Sequence, residues 1–394
     1  MNTYLRLTPH DPLVARDGRP FGAGQGNRMR GMSWPLPSVV AGSFRTALVK
    51  ATSKLDFSGD MPQQLMQFAV AGVFPMHGGE LYLPAPSDAV AQPSDNKRNI
   101  KILHRVIPQS FNGGCDLPSD ALKPVMLSET QAEEDFKPAN VPAWWPITKY
   151  SEWLQSKCVK FDSSFFDSSF LETAYQQTRD HVSLDAERGA AAEGQIFATS
   201  GLNLTHLPRF GVDEGKPFQE RLAELTLSVR VAIPDTKSDL KIDEQFNIWH
   251  PLGGERRLVH WRTAPTDCWD CPTGIREILK TTTRVRMVLT TPAIFKQGWK
   301  PGWIKDGLMG DLNGVELKLV GVSNGRWRAV SGWSLAPPRG PKPIRRMVPA
   351  GSVYFFEVDK PGDASPLADL WMHSVSDDKQ EQRDGFGLAV WGNW

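Results

Sequence analysis

Apolar and polar residues alternate from the start of the chain. Leu5 and Leu7 stand between Tyr4, Arg6 and Thr8, a period-two pattern that predicts an opening strand with one buried face. The pattern then gives way to a glycine-rich basic loop, Phe21 to Gly31, and to Trp34-Pro35-Leu36-Pro37. Ser38 is placed to cap a helix running to about Lys54, with Val40, Phe44, Ala47 and Leu48 as its buried stripe. Lys50 and Lys54 suit the negative end of that helix. Arg45 lies off the stripe, free to face whatever the preceding loop binds.

Regularity weakens between about residues 85 and 180. Pro84-Ala-Pro-Ser, the polar run Gln92 to Asn99 and acidic Glu129 to Asp135 predict an insertion with little regular structure. Trp144-Trp145-Pro146 within it is open to two readings, core cover or partner contact. Strands return at His181–Asp185, Gly194–Thr199, Ala223–Ile233 and Arg284–Thr290, separated by glycine or charged turns. No fixed-period repeat is visible, which excludes solenoids and propellers. A strand–helix start followed by mixed strands and loops predicts an α+β fold.

Length and composition sharpen this picture. At 394 residues the chain is long enough for two or three domains. Its 34 glycines and 31 prolines favour short strands and many loops over long helices. No apolar stretch approaches the ~20 residues of a spanning helix, and the N-terminus lacks a signal peptide's apolar core, so a cytoplasmic protein is expected. Asn203-Leu-Thr is therefore a glycosylation sequon in form only. Cys268-Trp-Asp-Cys271 is a lone CxxC without the second pair or spaced histidines that zinc requires, and no metal or cofactor is expected.

Charge is unevenly placed. The net charge is only +1, yet no acidic residue lies between Glu316 and Glu357, a stretch holding Lys318, Arg326, Arg328, Arg339, Lys342, Arg345 and Arg346. Arginine is interleaved there with Trp327 and Trp333 on glycine- and proline-kinked backbone. Guanidinium groups fork onto phosphates, indoles stack on bases, and glycine admits a foreign backbone, so the pattern suits a single-stranded nucleic acid. A solvated basic loop followed by a core strand would also place charges here, but not interleaved tryptophans. Residues 1–50 repeat the bias, with Arg6, Arg16, Arg19, Arg28, Arg30, Arg45 and Lys50 against Asp11 and Asp17 alone. Two basic patches on a neutral protein predict a defined groove rather than indiscriminate coating.

Catalytic signatures are missing. Gly22-Ala-Gly24-Gln-Gly26 has no strand before it and no helix opening on it, as a dinucleotide site would need. Walker A, HExxH, GxSxG and kinase patterns are absent. Asp377-Asp378, the nearest approach to paired carboxylates, reads as solvated surface. His181 heads a strand near the basic Arg188-Gly189 turn but has no evident partner in the sequence.

Several stretches carry a family resemblance. Asp11-Pro-Leu-Val-Ala-Arg16-Asp17-Gly18-Arg19-Pro20-Phe21, with Trp34 through Ser38 to Arg45, resembles the start of a CRISPR RAMP protein. More narrowly, it is similar to subunit three of the type III-B Cmr effector complex. His181–Asp185 with Ala192–Phe197, Ser331-Gly332-Trp333 through Val353, and Gly385-Phe386-Gly387 through Gly392 fit the same family in order and spacing.

The resemblance implies two ferredoxin-like (RRM-like) domains, over 1–180 with the irregular insertion and over 181–394 with the glycine-rich loop. It implies a non-enzymatic subunit that grips the repeat-derived 5′ tag of crRNA, docks the large cyclase-type Cas subunit, neighbours other RAMP subunits and meets target RNA only indirectly. The RNA-binding residues expected on this basis are Arg16, Arg19, Arg28, Arg30, Ser38, Arg45, His181, Arg339, Lys342, Arg345, Arg346, Gly385, Phe386 and Gly387. Two other readings stay open: a crRNA-processing endoribonuclease of the same superfamily, and a scaffold whose basic patches meet an acidic protein.

Overall fold

The computed structural model describes residues 2–16, 29, 31–52, 57–94, 100–119, 121–128, 135–234, 242, 245–264, 268–334 and 340–394, and the architecture is that of these residues. Strand β1 (Asn2–Pro9) buries Leu5 and Leu7 completely, as its alternation requires. Each such burial stabilises by ~1.5–3 kcal/mol. Helix α1 (Pro37–Ala51) begins one residue before the expected cap. Pro37 occupies the first helical position, where its missing N–H is not needed, Leu36 is the N-cap, and Ser38 lies inside the helix without capping it.

The chain continues through β2 (Ala69–His77), β3 (Glu80–Pro84), β4 (Trp144–Pro146) and α2 (Ile147–Gln155). A hairpin of β5 (Gln176–Leu184) and β6 (Ala191–Leu202) is followed by β7 (Thr226–Ala232), β8 (Asn247–Pro251) and β9 (Leu258–Ala264). Next come α3 (Thr273–Leu279), β10 (Arg284–Leu289), β11 (Met309–Leu312) and β12 (Val315–Ser323). The C-terminal elements are β13 (Arg328–Val330), β14 (Arg345–Met347), β15 (Val353–Glu357), β16 (His373–Ser374), α4 (Lys379–Arg383) and β17 (Leu388–Asn393).

Two antiparallel sheets organise these elements. The first runs β8-β9-β1-β7-β2-β3-β4 and the second β11-β12-β15-β10-β17-β16. Four central strands of each sheet, numbered by their order in the chain, lie fourth–first–third–second: β9-β1-β7-β2 and β17-β10-β15-β12. Helix α1 makes the crossover between β1 and β2. The mixture of helix with antiparallel sheet is the expected α+β class.

Two expectations need correction. A boundary at residue 180 would cut the first sheet, because β1 pairs with β7 from Asn2↔Ala232 to Leu7↔Leu227 and with β9 along its other side. Ladder hydrogen bonds place residues 226–264 with the N-terminal strands and leave the second sheet to residues 284–393. The segment 85–180 is also more regular than expected. It contributes β4, α2 and a small sheet of residues 89–93, 100–105 and 160–162. Trp145, fully buried, packs within 6.0 Å of Tyr150, Trp153, Phe165, Phe166 and Phe170. It is core.

A continuous core joins the insertion to both sheets. Where β7 and β2 meet the second half of the chain, Trp269 donates from Nε1 to Ser228 Oγ at 2.9 Å and packs edge-on against Phe74. Arg230 donates to the Met372 carbonyl at 2.6 Å in the same contact. The other face of the first sheet carries α1, whose Phe44 meets Phe68, Phe246 and Trp261. No helix of the described residues is long and apolar enough to cross a membrane.

Candidate nucleic-acid interface

The basic, aromatic stretch forms a β-hairpin standing off the second sheet. Strand β13 pairs with β14 from Arg328↔Met347 to Val330↔Arg345, and residues 333–334 pair with 340–341 beyond them. Period-two geometry splits its residues by face. Val330 and Met347 turn inward and pack with Leu36, Ile294 and Phe386, fixing the hairpin root to the start of α1. Trp327 points outward at 56% exposure, with Arg326 and Arg328 exposed on either side. The Arg346 guanidinium lies 5.0 Å from the Trp327 ring centroid. A cation held over one ring face leaves the indole able to stack on a base while the charge stays near its phosphate.

Two clefts flank this root. One, of about 220 Å³, lies between the sheets and is lined by Trp34, Pro37, Trp144, Thr290 and Arg328 among others. The second, of about 330 Å³, is lined by Ala85, Arg326, Trp327, Arg328 and Gly351. Gly351 has a φ of +86°, and an added Cβ would stand 2.4 Å from the Ala85 carbonyl oxygen, so only glycine closes this wall. Trp34 is fixed by its Nε1–H, which donates to the Val73 carbonyl at 3.0 Å, and by the Trp144 ring 4.3 Å away.

The residues expected to bind RNA fall into distinct groups. Arg346 is exposed on the hairpin, and Lys342 is half-buried further along it, its backbone N–H bonded to the Gly332 carbonyl. Ser38 sits in the first turn of α1, next to Pro37 in the wall of the first cleft. Arg16 is exposed and bridges to Gly31, close to β6. His181 lies on β5, where its ring stacks 4.9 Å from Phe197 and Nε2 is 2.8 Å from Thr199 Oγ1. Arg19, Arg28, Arg30 and Arg339 lie outside the described residues.

Five of the expected residues make contacts within the chain. Arg45 is 6% exposed; it donates to Asp384 Oδ1 at 2.6 Å and to the Phe68 carbonyl at 2.8 Å. Its place in the helix explains this, since Arg45 is four residues from Ala41 and three from Leu48, both fully buried. Arg345 is ion-paired with Glu381 of α4. Phe386 is 1% exposed. The Gly385 and Gly387 amides do not face outward: they donate to the Gln382 carbonyl at 3.1 Å and the Pro292 carbonyl at 2.7 Å. Both glycines have positive φ because the loop is clamped, with Val70 O and Ser376 Oγ each 2.4 Å from where a Cβ would lie. The helix after β1 and the glycine loop thus grip each other.

Other candidate chemistry resolves into structure. Asp377 is half-buried and accepts from the Lys296 and Gly302 amides at 2.8 and 2.7 Å, while exposed Asp378 caps α4. Among the described residues no three His, Cys, Asp or Glu side chains are grouped as a metal would require, and all four cysteines are free thiols. Burial pushes the Cys271 thiol up to about 11.

A family model described as CRISPR-associated protein (Cas_Cmr3) matches residues 5–394. A chain from a type III-B Cmr-beta complex bound to cognate target RNA is 12% identical, with 98% of this chain and 96% of that one covered and a TM-score of 0.49. A chain from the same type of complex bound to cognate target RNA and AMPPnP is 14% identical, with 89% and 86% covered and a TM-score of 0.45. A chain of the Csm3-Csm4 subcomplex from a type III-A CRISPR-Cas interference complex is 12% identical, with 92% and 94% covered and a TM-score of 0.34. No curated protein sequence matches.

Proposed function

The chain belongs to the Cas_Cmr3 family of CRISPR-associated proteins, and from that premise we propose that it is a non-catalytic RNA-binding subunit of a type III-B CRISPR effector complex. In this reading it grips the 5′ tag of the crRNA, docks the large Cas subunit and sits beside the other RAMP subunits. The observation that carries the reading is the Trp327–Arg346 hairpin above two clefts. It offers a stacking surface, several exposed arginines and room for a backbone in one place, which is what a short single-stranded segment needs.

The contacts proposed are Arg326, Trp327, Arg328, Lys342 and Arg346 on this surface, with Arg16 and Ser38 and, on the sequence alone, Arg19, Arg28, Arg30 and Arg339. The common fourth–first–third–second strand order of the two sheets supports taking them as two ferredoxin-like domains. The engagement of His181 with Phe197 and Thr199 favours a structural over a catalytic role for that ring.

Filter binding with crRNA carrying or lacking the tag, and incubation with repeat RNA in magnesium or manganese, test the proposal together. Tighter binding of the tagged RNA without cleavage is expected. Equal affinity for both RNAs removes the tag assignment, and site-specific cleavage replaces the subunit with a processing nuclease.

A further inference from the structure

The face of the first sheet opposite α1 is covered over only part of its width. Trp269, Met372 and their neighbours close it from β2 to Tyr4 of β1, whereas over β8 and β9 Asn247, Trp249 and Arg262 are exposed among the described residues. On that open half the register sets two rows across three strands. Trp249, His260 and Thr8 stand side by side, and Asn247, Arg262 and Arg6 form the next row.

The first row is aromatic. Trp249 is 52% exposed and stacks on His260 with centroids 4.6 Å apart and planes 15° from parallel. His10 meets the same indole edge-on at 5.7 Å. A tryptophan held flat by a neighbour, on a rigid strand, is a preformed stacking surface that loses little entropy when a second ring lands on it.

The second row is cationic. Arg262 is exposed, whereas its cross-strand partner Arg6 is half-buried and directs Nη1 to Thr226 Oγ1 on β7 at 3.5 Å. Strands β1, β8 and β9 contain no acidic residue. The β8–β9 turn adds exposed Arg256, held with Glu255 at positive φ of 48° and 57°. An aromatic row beside an arginine row matches a chain whose bases and phosphates alternate.

We propose that this open half-sheet is a second nucleic-acid surface, separate from the hairpin, which holds a single-stranded RNA segment with a base on Trp249 and a phosphate at Arg262. An acidic protein would satisfy the arginines but leave the stacked indole without its counterpart, so a nucleic acid is the better match.

The probe is fluorescein-labelled oligouridine, titrated against full-length protein in a Trp327→Ala/Arg346→Gln background so that the hairpin contributes little. Adding Trp249→Ala with Arg262→Gln is expected to weaken binding tenfold or more and to shallow the salt slope by ~0.7 for each phosphate that is no longer neutralised. Melting should barely change, because both side chains are exposed. Photo-crosslinking with a 4-thiouridine version should label a peptide within residues 247–262. Unchanged affinity, or crosslinks confined to other segments, overturns the proposal. The proposed tag site is read separately, through tagged crRNA and Trp327→Ala alone, so failure of one assignment does not imply failure of the other.

Discussion

Arg45 and Asp384, separated by 339 residues in sequence, meet at 2.6 Å inside the protein. The pair fastens the helix after the first strand to the loop before the last strand, and with it the first sheet to the second. Breaking a buried ion pair from one side leaves an uncompensated charge and costs ~3–5 kcal/mol. Arg45→Met should therefore lower the melting temperature markedly, and Arg45→Met with Asp384→Leu should recover part of the loss. Chemical denaturation of the wild type and the two variants checks this. An Arg45→Met protein of wild-type stability but impaired RNA binding would return the residue to the interface.

Gly387 packs against Ser376 at a φ of +71°. In Gly387→Val the strained backbone costs on the order of 1–3 kcal/mol, with overpacking of similar size in addition. A sharp fall in melting temperature is expected, with tagged-crRNA affinity unchanged in the fraction that stays folded. Weakened binding at unchanged stability would show that the loop touches RNA.

Trp327 and Arg346 form the exposed pair at the proposed tag site. Trp327→Ala should weaken tagged-crRNA binding by ~1–3 kcal/mol, the range for one stacked base. Arg346→Gln should shallow the dependence of log K on log salt by ~0.7. Fluorescence anisotropy across a salt series measures both effects, and flat results in both variants would move the RNA elsewhere.

His250 on β8 faces the last turn of α1, and its imidazole is pushed down to about 4, chiefly by burial and further by Lys50. The unfolded chain titrates near ~6.5, so between these values the unfolded state binds more protons. Stability from this site is complete above about 6.5 and is lost as pH falls toward about 4. Melting curves from pH 7.5 to 4.5 should decline less steeply for His250→Gln than for the wild type. Parallel declines would place the acid sensitivity in other groups.

Local patterns in the sequence settled the elements but not their partners. Alternation at Leu5 and Leu7 determined β1, and the stripe through Val40, Phe44 and Leu48 determined α1, because strand and helix periods act over a few residues. Interleaved arginine and tryptophan determined the chemistry of the 326–346 hairpin for the same local reason. Pairing across hundreds of residues was decided only in three dimensions. β7 joined β1 rather than a second domain, Trp145 became core, and the Gly385–Gly387 amides turned inward to carbonyls the sequence could not place beside them. Arg45 shows the physical reason: a guanidinium on a helix faces solvent or interior according to what covers that face, and here the cover is Asp384 from the far end of the chain.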